Sequence, residues 1–269
     1  MKNLGGTDVP HTELAEYFDK LPTSRSDRLA RALELVAAPD QLPGMFVRSR
    51  ARFAEWQSDE PFYPKPRTLS VEHGRELSRT EDVQARLAGR WHVEGDEQLD
   101  FVYLDRELLL ARNTVGDKVE RGIEVDLLLA NANDRTPILA EIKISKPGSM
   151  NTDKDPFYAL VQLLAAAAQA ASTSQLERLR KHLRPEFPIL NMSQLDLYIF
   201  AVNETRATHW QELRDCTEKL ARSLMGDVEV SNWIRRIALI RVFDEKPSRS
   251  LRIVKDFAFT ASDLPLVGG

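Results

Sequence analysis

The chain has little cysteine and no long apolar run. Cys216 is the only cysteine among 269 residues, so an internal disulfide and a zinc site built from several cysteines are both excluded. No stretch approaches the roughly 20 consecutive apolar residues that cross a bilayer, and the first residues have no apolar core of the kind that a secretory signal carries. We therefore expect a cytoplasmic protein that makes no membrane contact.

The sequence also lacks a surplus of positive charge. It carries 37 Lys and Arg against 41 Asp and Glu, a formal net charge of −4. Proteins that bind nucleic acid mainly through nonspecific phosphate contacts are usually strongly basic, so a large surface of that kind is not expected. A local basic cleft is still compatible with this balance, because acidic metal ligands lower the net charge of a nuclease.

Motifs of several common enzyme classes are absent as well. The sequence has no glycine-rich phosphate loop, which argues against an ATPase or a Rossmann-type dehydrogenase. Its five histidines show no metal-ligand spacing, and none lies beside a serine in a recognisable nucleophile turn. Hydrophobic residues make up 42% of the chain and charged residues 29%, a balance typical of a folded protein rather than a disordered one.

Residues 1–70 are predicted to form a helical and irregular N-terminal accessory region. Apolar spacing indicates helices over about 11–20 and 27–38, the second with Ser26 as its cap. Five prolines between positions 39 and 66 interrupt the pattern that follows, which predicts an irregular stretch with room for one helix. A boundary near residue 70 would separate this region from a domain over 71–269.

The pattern of residues 71–269 predicts an α/β fold with a mixed sheet flanked by helices. A helix over about 71–89 precedes several strand-like runs, the first two of which flank a possible tight turn at Asp105-Arg106. An alanine-rich helix follows Asp155 and Pro156, which suit its cap and its first turn. The predicted strands are 101–104, 107–112, 123–130, 137–145, 195–202 and 234–243, with an edge strand at 251–259.

Two of these strands carry charged residues in otherwise apolar surroundings. Because residues two apart in a strand share a face, Glu141 and Lys143 project to one side of 137–145. Asp126 lies in the middle of the preceding strand, and pairing through the short turn would bring it beside Glu141. Two carboxylates at such positions repel each other and need a cation, for which oxygen ligands of this kind favour Mg²⁺ or Mn²⁺. Lys143 could then orient a water or stabilise charge on a phosphoryl oxygen.

This order of a VD strand, a turn and an ExK strand resembles the PD-(D/E)xK phosphodiesterase superfamily, which includes restriction enzymes and Holliday-junction resolvases. The matching residues are Asp126 in GIEVDLLLA, and Glu141 and Lys143 in ILAEIKISK. The resemblance covers roughly residues 71–202 and implies a restriction-endonuclease-like αβββαβ core. It also implies that Asp126 and Glu141 are metal ligands and that Lys143 is catalytic.

Several members of the superfamily carry a glutamine on the helix after the ExK strand, and Gln162 stands at that place. It shares a narrow polar stripe with Tyr158 and Gln169 on an otherwise apolar helix. Gln162 therefore completes the predicted catalytic set. In the branch of the superfamily that contains the nuclease domains of recombination helicases, a tyrosine often follows this glutamine by one helical turn, but Ala166 occupies that position here. The family often adds a glutamate from its first core helix, for which the candidates are Glu72, Glu76 and Glu81, while Glu124 is expected at the surface or behind the ligands.

Two basic segments are candidates for contact with a phosphate backbone. One is the loop between the ExK strand and the following helix, which contains Lys146 and Lys154. The other combines three arginines with aromatic residues, a mixture that suits backbone contacts and base stacking but is explained equally well by an amphipathic helix edge. Its residues are Phe46, Arg48, Arg50, Arg52, Phe53 and Trp56.

Two hypotheses of function follow. The first is a Mg²⁺-dependent nuclease that acts on DNA, with RNA as an alternative substrate, in bacterial defence or DNA processing. The second is a protein that keeps the nuclease fold without cleaving and serves as a nucleic-acid-binding or assembly subunit. Either hypothesis is compatible with a homodimer or with a protein partner.

Overall fold

Seven strands form a single sheet in the computed structural model, which describes residues 11–54, 79–110, 123–144, 155–182, 193–202, 209–245 and 250–263. The strands lie side by side in the order in which they follow one another along the chain. They are β1 Arg90–Trp91, β2 Phe101–Leu109, β3 Glu124–Asn131, β4 Pro137–Ile144, β5 Leu195–Val202, β6 Ile234–Glu245 and β7 Ser250–Thr260. The α-helices of these ranges are α1 Glu13–Asp19, α2 Arg25–Ala37, α3 Gln41–Ala54, α4 Arg79–Arg86, α5 Pro156–Ala170, α6 Thr173–His182, α7 Trp210–Gly226 and α8 Val228–Ser231.

The sheet is mixed and curled. Strands β1 to β4 pair antiparallel, β4, β5 and β6 run parallel, and β7 is antiparallel to β6. The curl brings Glu94, between β1 and β2, against β7, where its N–H donates to Ile253 O at 2.9 Å and its carbonyl accepts from Lys255 N at 3.0 Å. The predicted α/β class with a mixed sheet flanked by helices is therefore confirmed.

The two faces of the sheet carry separate hydrophobic cores. On one face, Ile138, Ala140 and Ile142 of β4 pack with Val83 and Leu87, the first in α4 and the second just after it. On the other face, Leu139 packs with residues from α1, α2, α3, α5 and α7. The apolar face predicted for β4 therefore lies against the α4 side, although every residue of the strand is buried.

Helix α5 is the most deeply buried helix of the layer that covers β4. Of its fifteen residues, all except Tyr158 and Gln162 are buried. Its predicted start is confirmed, since the Asp155 carboxylate accepts a hydrogen bond from Tyr158 N at 2.9 Å and Pro156 occupies the first turn. Within the described ranges, no helix is long and apolar enough to span a membrane.

The two predicted N-terminal helices are confirmed as α1 and α2, but Ser26 is not the cap of α2. The helix begins at Arg25, so the preceding residue Ser24 caps it and its hydroxyl accepts from Asp27 N at 3.2 Å. The stretch that left room for one helix contains α3. Pro43 is compatible with that helix because N–H groups of the first turn have no partner inside the helix.

The described part of the N-terminal region contributes directly to the core of the sheet. Leu14, Leu35, Leu42 and Phe46, from α1 to α3, are buried in the same hydrophobic cluster as Leu139 of β4. These helices therefore help to hold α5 and α7 against the sheet. The predicted boundary near residue 70 lies outside the described residues.

The prediction of two short strands around a turn at Asp105-Arg106 is wrong. A single strand, β2, runs from Phe101 to Leu109 and continues through the Asp105-Arg106 dipeptide. Its pairing with β3 shifts register between Tyr103 and Asp105, and Glu107 has a positive φ of 52°. A bulge inserts an extra residue into a strand without reversing it, so a turn-like dipeptide is accommodated inside a continuous strand.

A buried ion pair connects the N-terminal helices to α5. Arg28 of α2 is 1% exposed, and its Nε donates to the Asp155 carboxylate at 2.6 Å. The same guanidinium donates to the carbonyl oxygens of Pro22 and Thr23, each at 2.8 Å. Since Asp155 also caps α5, Arg28 fixes the N-terminal end of the helix that carries Tyr158 and Gln162.

We predict that Arg28→Ala lowers the free energy of unfolding by about 3–5 kcal/mol, because it leaves the buried Asp155 carboxylate without its partner. The double variant Arg28→Met/Asp155→Ser should regain most of this loss, since it removes both charges and keeps a capping hydroxyl. Urea denaturation followed by circular dichroism measures both values.

The matched control is Arg31→Ala on the same helix. Arg31 pairs with Glu34 at 2.9 Å, but the two side chains are 55% and 61% exposed. Its loss should therefore leave the free energy of unfolding almost unchanged. Equal losses in Arg28→Ala and Arg31→Ala would contradict the structural role of the buried pair.

Candidate active site

The candidate site lies where β3 and β4 separate. Their paired register runs from Ala130 opposite Pro137 to Leu127 opposite Ala140. At the next positions, side chains take over from the backbone ladder. The Asp126 N–H donates to Glu141 Oε1 at 3.3 Å, and Ile142 N donates to Asp126 Oδ2 at 2.7 Å. Each carboxylate thus satisfies a backbone donor that continued strand pairing would have used.

Two glutamines satisfy the carbonyl groups that β3 presents at the same opening. Gln162 of α5 donates from Nε2 to Glu124 O at 3.1 Å. Gln84 of α4 donates from Nε2 to Asp126 O at 3.2 Å. Because α4 and α5 pack on opposite faces of the sheet, the separated strands are supported from both sides.

The Lys143 side chain is held by contacts with two other predicted residues and with Tyr158. Its ammonium group donates to Glu141 Oε2 at 2.8 Å and to Gln162 Oε1 at 3.0 Å. It also lies 5.2 Å from the centroid of the Tyr158 ring, within the range of a cation–π contact. All four predicted catalytic residues, Asp126, Glu141, Lys143 and Gln162, are therefore brought together in one cluster.

Burial dominates the electrostatics of the cluster. Glu141 is only 1% exposed, and this desolvation raises its pKa well above the ordinary value; Lys143 opposes the rise, while the adjacent Asp126 adds to it. For Lys143, burial lowers the pKa, but the carboxylates of Glu141 and Asp126 outweigh that effect and the net pKa is raised. The lysine is therefore cationic at neutral pH, and the carboxylate pair carries a repulsion that a bound cation would relieve.

The donor set fits a hard divalent cation. Asp126 and Glu141 offer carboxylate oxygens, and each carboxylate has lone pairs beyond those used by its hydrogen bonds. Within the residues that the structure describes, no group of three or more His, Cys, Asp or Glu side chains could hold a metal. Mg²⁺ commonly binds through one or two carboxylates and keeps several waters, so two protein carboxylates are sufficient for it.

Other residues singled out in the sequence do not contribute a described side chain to this cluster, or lie outside the residues that the structure describes. Glu124 is half-buried on β3, and its backbone carbonyl rather than its carboxylate meets Gln162. Glu72 and Glu76 lie outside the described residues, as do Lys146 and Lys154. Glu81 lies in α4, but its side chain is not described.

The arginine and aromatic segment forms part of α3. Arg48 pairs with Glu13 at 2.7 Å, and the Arg50 guanidinium lies 4.3 Å from the centroid of the Trp233 ring. Both arginines thus contact other parts of this chain, while Trp56 lies outside the described residues. The alternative of an amphipathic helix edge fits these contacts, and nucleic-acid binding by this segment stays a prediction.

Gln84 and Arg28 are two residues of the site and its support that the sequence did not point to. Gln84 is 2% exposed and follows the core residue Val83 in α4, and glutamine is common on helices. Arg28 acts from 127 residues away in sequence through Asp155. The sequence held one signal for Gln84, which is a polar residue next to the apolar stripe of the predicted 71–89 helix. It held no such signal for Arg28.

Comparisons with protein-family models, curated proteins and solved structures gave no match for this chain. The resemblance to the PD-(D/E)xK superfamily therefore depends on Asp126, Glu141, Lys143 and their surroundings. The chemistry of these residues is the basis on which a function can be argued.

We predict that the metal-free protein loses stability as the pH rises through the raised pKa of Glu141. A raised folded-state pKa means that the native protein holds this proton more tightly than the unfolded chain does. The resulting stabilisation is complete below the ordinary glutamate pKa and disappears above the raised one. Urea denaturation in EDTA between about pH 5 and about pH 9 measures this slope.

Glu141→Gln should flatten that slope, even though its absolute stability falls because Lys143 loses a partner. Glu13→Gln is the control, since the pairing of Glu13 with Arg48 lowers the pKa of that carboxyl, so it should leave the slope unchanged over the same range. Parallel curves for wild type and Glu141→Gln would contradict the burial argument.

Proposed function

We propose that this protein is a Mg²⁺-dependent nuclease that hydrolyses phosphodiester bonds, with DNA as the expected substrate. The observation that carries the proposal is the meeting of the Asp126 and Glu141 carboxylates beside the Lys143 ammonium at the β3–β4 separation. Metal-assisted hydrolysis of a phosphodiester needs oxygen ligands for a cation and a positive group near the reacting phosphate. These three side chains supply both.

Each residue has a distinct task in this proposal. Asp126 and Glu141 hold the cation, which when bound would polarise the phosphate and lower the pKa of an attacking water. Lys143 stabilises negative charge on a phosphoryl oxygen or orients the water, because its ammonium is cationic and lies against the metal ligands. Gln162 and Tyr158 keep that ammonium in place from α5.

Hydrolysis adds the elements of water across a P–O ester bond. The water oxygen bonds to phosphorus, the ester oxygen leaves with a proton, and no redox partner is needed. A single divalent cation and the three charged side chains are compatible with this balance.

The order of elements is consistent with the superfamily resemblance. Helix α4, strands β2, β3 and β4, helix α5 and strand β5 follow one another in the order of the αβββαβ core, with the short strand β1 inserted before β2 and α6 inserted before β5. A restriction-endonuclease-like core is therefore part of the proposal. Bacterial defence or DNA processing is the context that the resemblance implies.

A non-cleaving protein with the same fold is the second candidate. The observation in its favour is that Lys143 is only 8% exposed and already donates to Glu141 and Gln162. A lysine held in this way could serve only to neutralise the carboxylates. In that case the chain would act through binding, to nucleic acid or to another protein.

The test is cleavage of linear, circular and single-stranded DNA and of RNA with Mg²⁺, Mn²⁺ or EDTA. We expect metal-dependent cutting by the wild type and a fall of about 100-fold or more in Asp126→Asn, Glu141→Gln and Lys143→Met. Cutting of the circular DNA would identify an endonuclease.

Lys20→Met is the matched control for Lys143→Met, because the Lys20 side chain is 77% exposed and pairs only at the surface with Glu16. It should cut as the wild type does. A folded wild type that neither cuts any of these substrates nor binds Mg²⁺ or Mn²⁺ would overturn the nuclease proposal and support the non-cleaving candidate.

A further inference from the structure

Gln84 has a buried side-chain oxygen and bonds to the backbone of Asp126, a residue of the candidate cation site. Its side chain is 2% exposed, and its Nε2 donates to the backbone carbonyl of Asp126 at 3.2 Å. No residue in the described part of the chain makes a hydrogen bond to its other polar atom, Oε1. Burying such an oxygen without a partner is unfavourable, so the atom calls for a ligand.

The hydrogen bond to Asp126 determines which end of the amide is open. A backbone carbonyl accepts but cannot donate, so the NH₂ end must face Asp126 O. The amide oxygen is attached to the same carbon and is therefore the end left for another group. Amide carbonyl oxygens of Gln are ordinary ligands of hard divalent cations, alone or through a water.

The location favours a cation over a neutral ligand. Gln84 bonds to the backbone of Asp126. The carboxylates of Asp126 and Glu141 repel each other when no cation lies between them. The backbone of β3 is released from β4 at this position, so α4 can reach the gap from the face opposite α5. An oxygen donor from α4 would complement the two carboxylates.

We propose that Gln84 supplies the third protein oxygen of the divalent-cation site, together with Asp126 and Glu141. This inference rests on the proposed function, because it assumes that the carboxylate pair binds Mg²⁺ or Mn²⁺. It adds a neutral donor from the helix on the other face of the sheet. With it, β3, β4 and α4 each contribute one oxygen.

The competing role for Gln84 is structural support alone. The Gln84 N–H that bonds Asp126 O would then be its whole contribution, and the oxygen would take no part in metal binding. Gln194 offers a matched comparison on the same chain, because its Nε2 donates to the backbone carbonyl of Ser231 at 2.7 Å, far from the carboxylate pair in the sheet.

The test is titration of the full chain with Mn²⁺, followed by electron paramagnetic resonance, for wild type and for the variants Gln84→Met, Gln84→Glu and Gln194→Met. We expect Gln84→Met to weaken Mn²⁺ binding about fivefold or more, since it keeps the shape and removes the amide oxygen together with the N–H donor. Gln84→Glu should tighten binding by about threefold or more, because a carboxylate replaces a neutral donor. Gln194→Met should bind as the wild type does.

The proposal requires both shifts in opposite directions. If Gln84→Met and Gln84→Glu weaken binding equally, Gln84 acts only by supporting Asp126, and the proposal is overturned. Unchanged binding in Gln84→Met overturns it as well. A wild type that binds no Mn²⁺ overturns the proposed function together with this inference, whereas the other two results leave the proposed function intact.

Circular dichroism and thermal unfolding in EDTA show whether each variant is folded. Gln84→Glu places a third carboxylate near two others, so its metal-free form should unfold at a lower temperature than the wild type. Saturating Mn²⁺ should remove this difference, because it should raise the unfolding temperature of Gln84→Glu more than that of the wild type. A metal-induced rise smaller than that of the wild type would contradict a cation contact at this position.

Discussion

Backbone groups released where β3 and β4 separate need partners, and the candidate site is built from the side chains that provide them. Asp126 and Glu141 satisfy two N–H groups, while Gln84 and Gln162 satisfy two carbonyls. Because a buried backbone group without a partner is costly, these side chains have little freedom to move. The same requirement that stabilises the opening thus brings the carboxylates together.

This arrangement is energetically costly because it buries charged side chains. Glu141 and Lys143 are nearly inaccessible, and for Glu141 the neighbouring ammonium offsets only part of the desolvation. Helix α5 limits the remaining freedom, since Gln162 and Tyr158 hold the lysine and the Arg28–Asp155 pair fixes the start of the helix. A chain that needed only stability would more simply fill this position with apolar side chains, which is why the cluster points to function.

The sequence predicted the parts of the fold and site that depend on local pattern. Alternation in β4 and the charged positions of two adjacent apolar strands were sufficient to bring Asp126, Glu141 and Lys143 together. Gln162 was named through the superfamily resemblance, on a helix whose cap at Asp155 the sequence predicted. The bulge in β2 was not predictable, because a turn-like dipeptide in a strand has the same sequence signature as a hairpin. The contacts of Gln84 and Arg28 were not predictable either, since each depends on a partner many residues away whose position only the folded chain determines.

A crystal soaked with Mn²⁺ and measured at the manganese absorption edge tests the central claim most directly, because anomalous scattering locates the metal without an activity assay. The account predicts an anomalous peak between the carboxylates of Asp126 and Glu141, with oxygen ligands at about 2.0–2.3 Å. Well-ordered crystals in saturating Mn²⁺ with no peak there, and with Lys143 still the sole cation on Glu141, would contradict it.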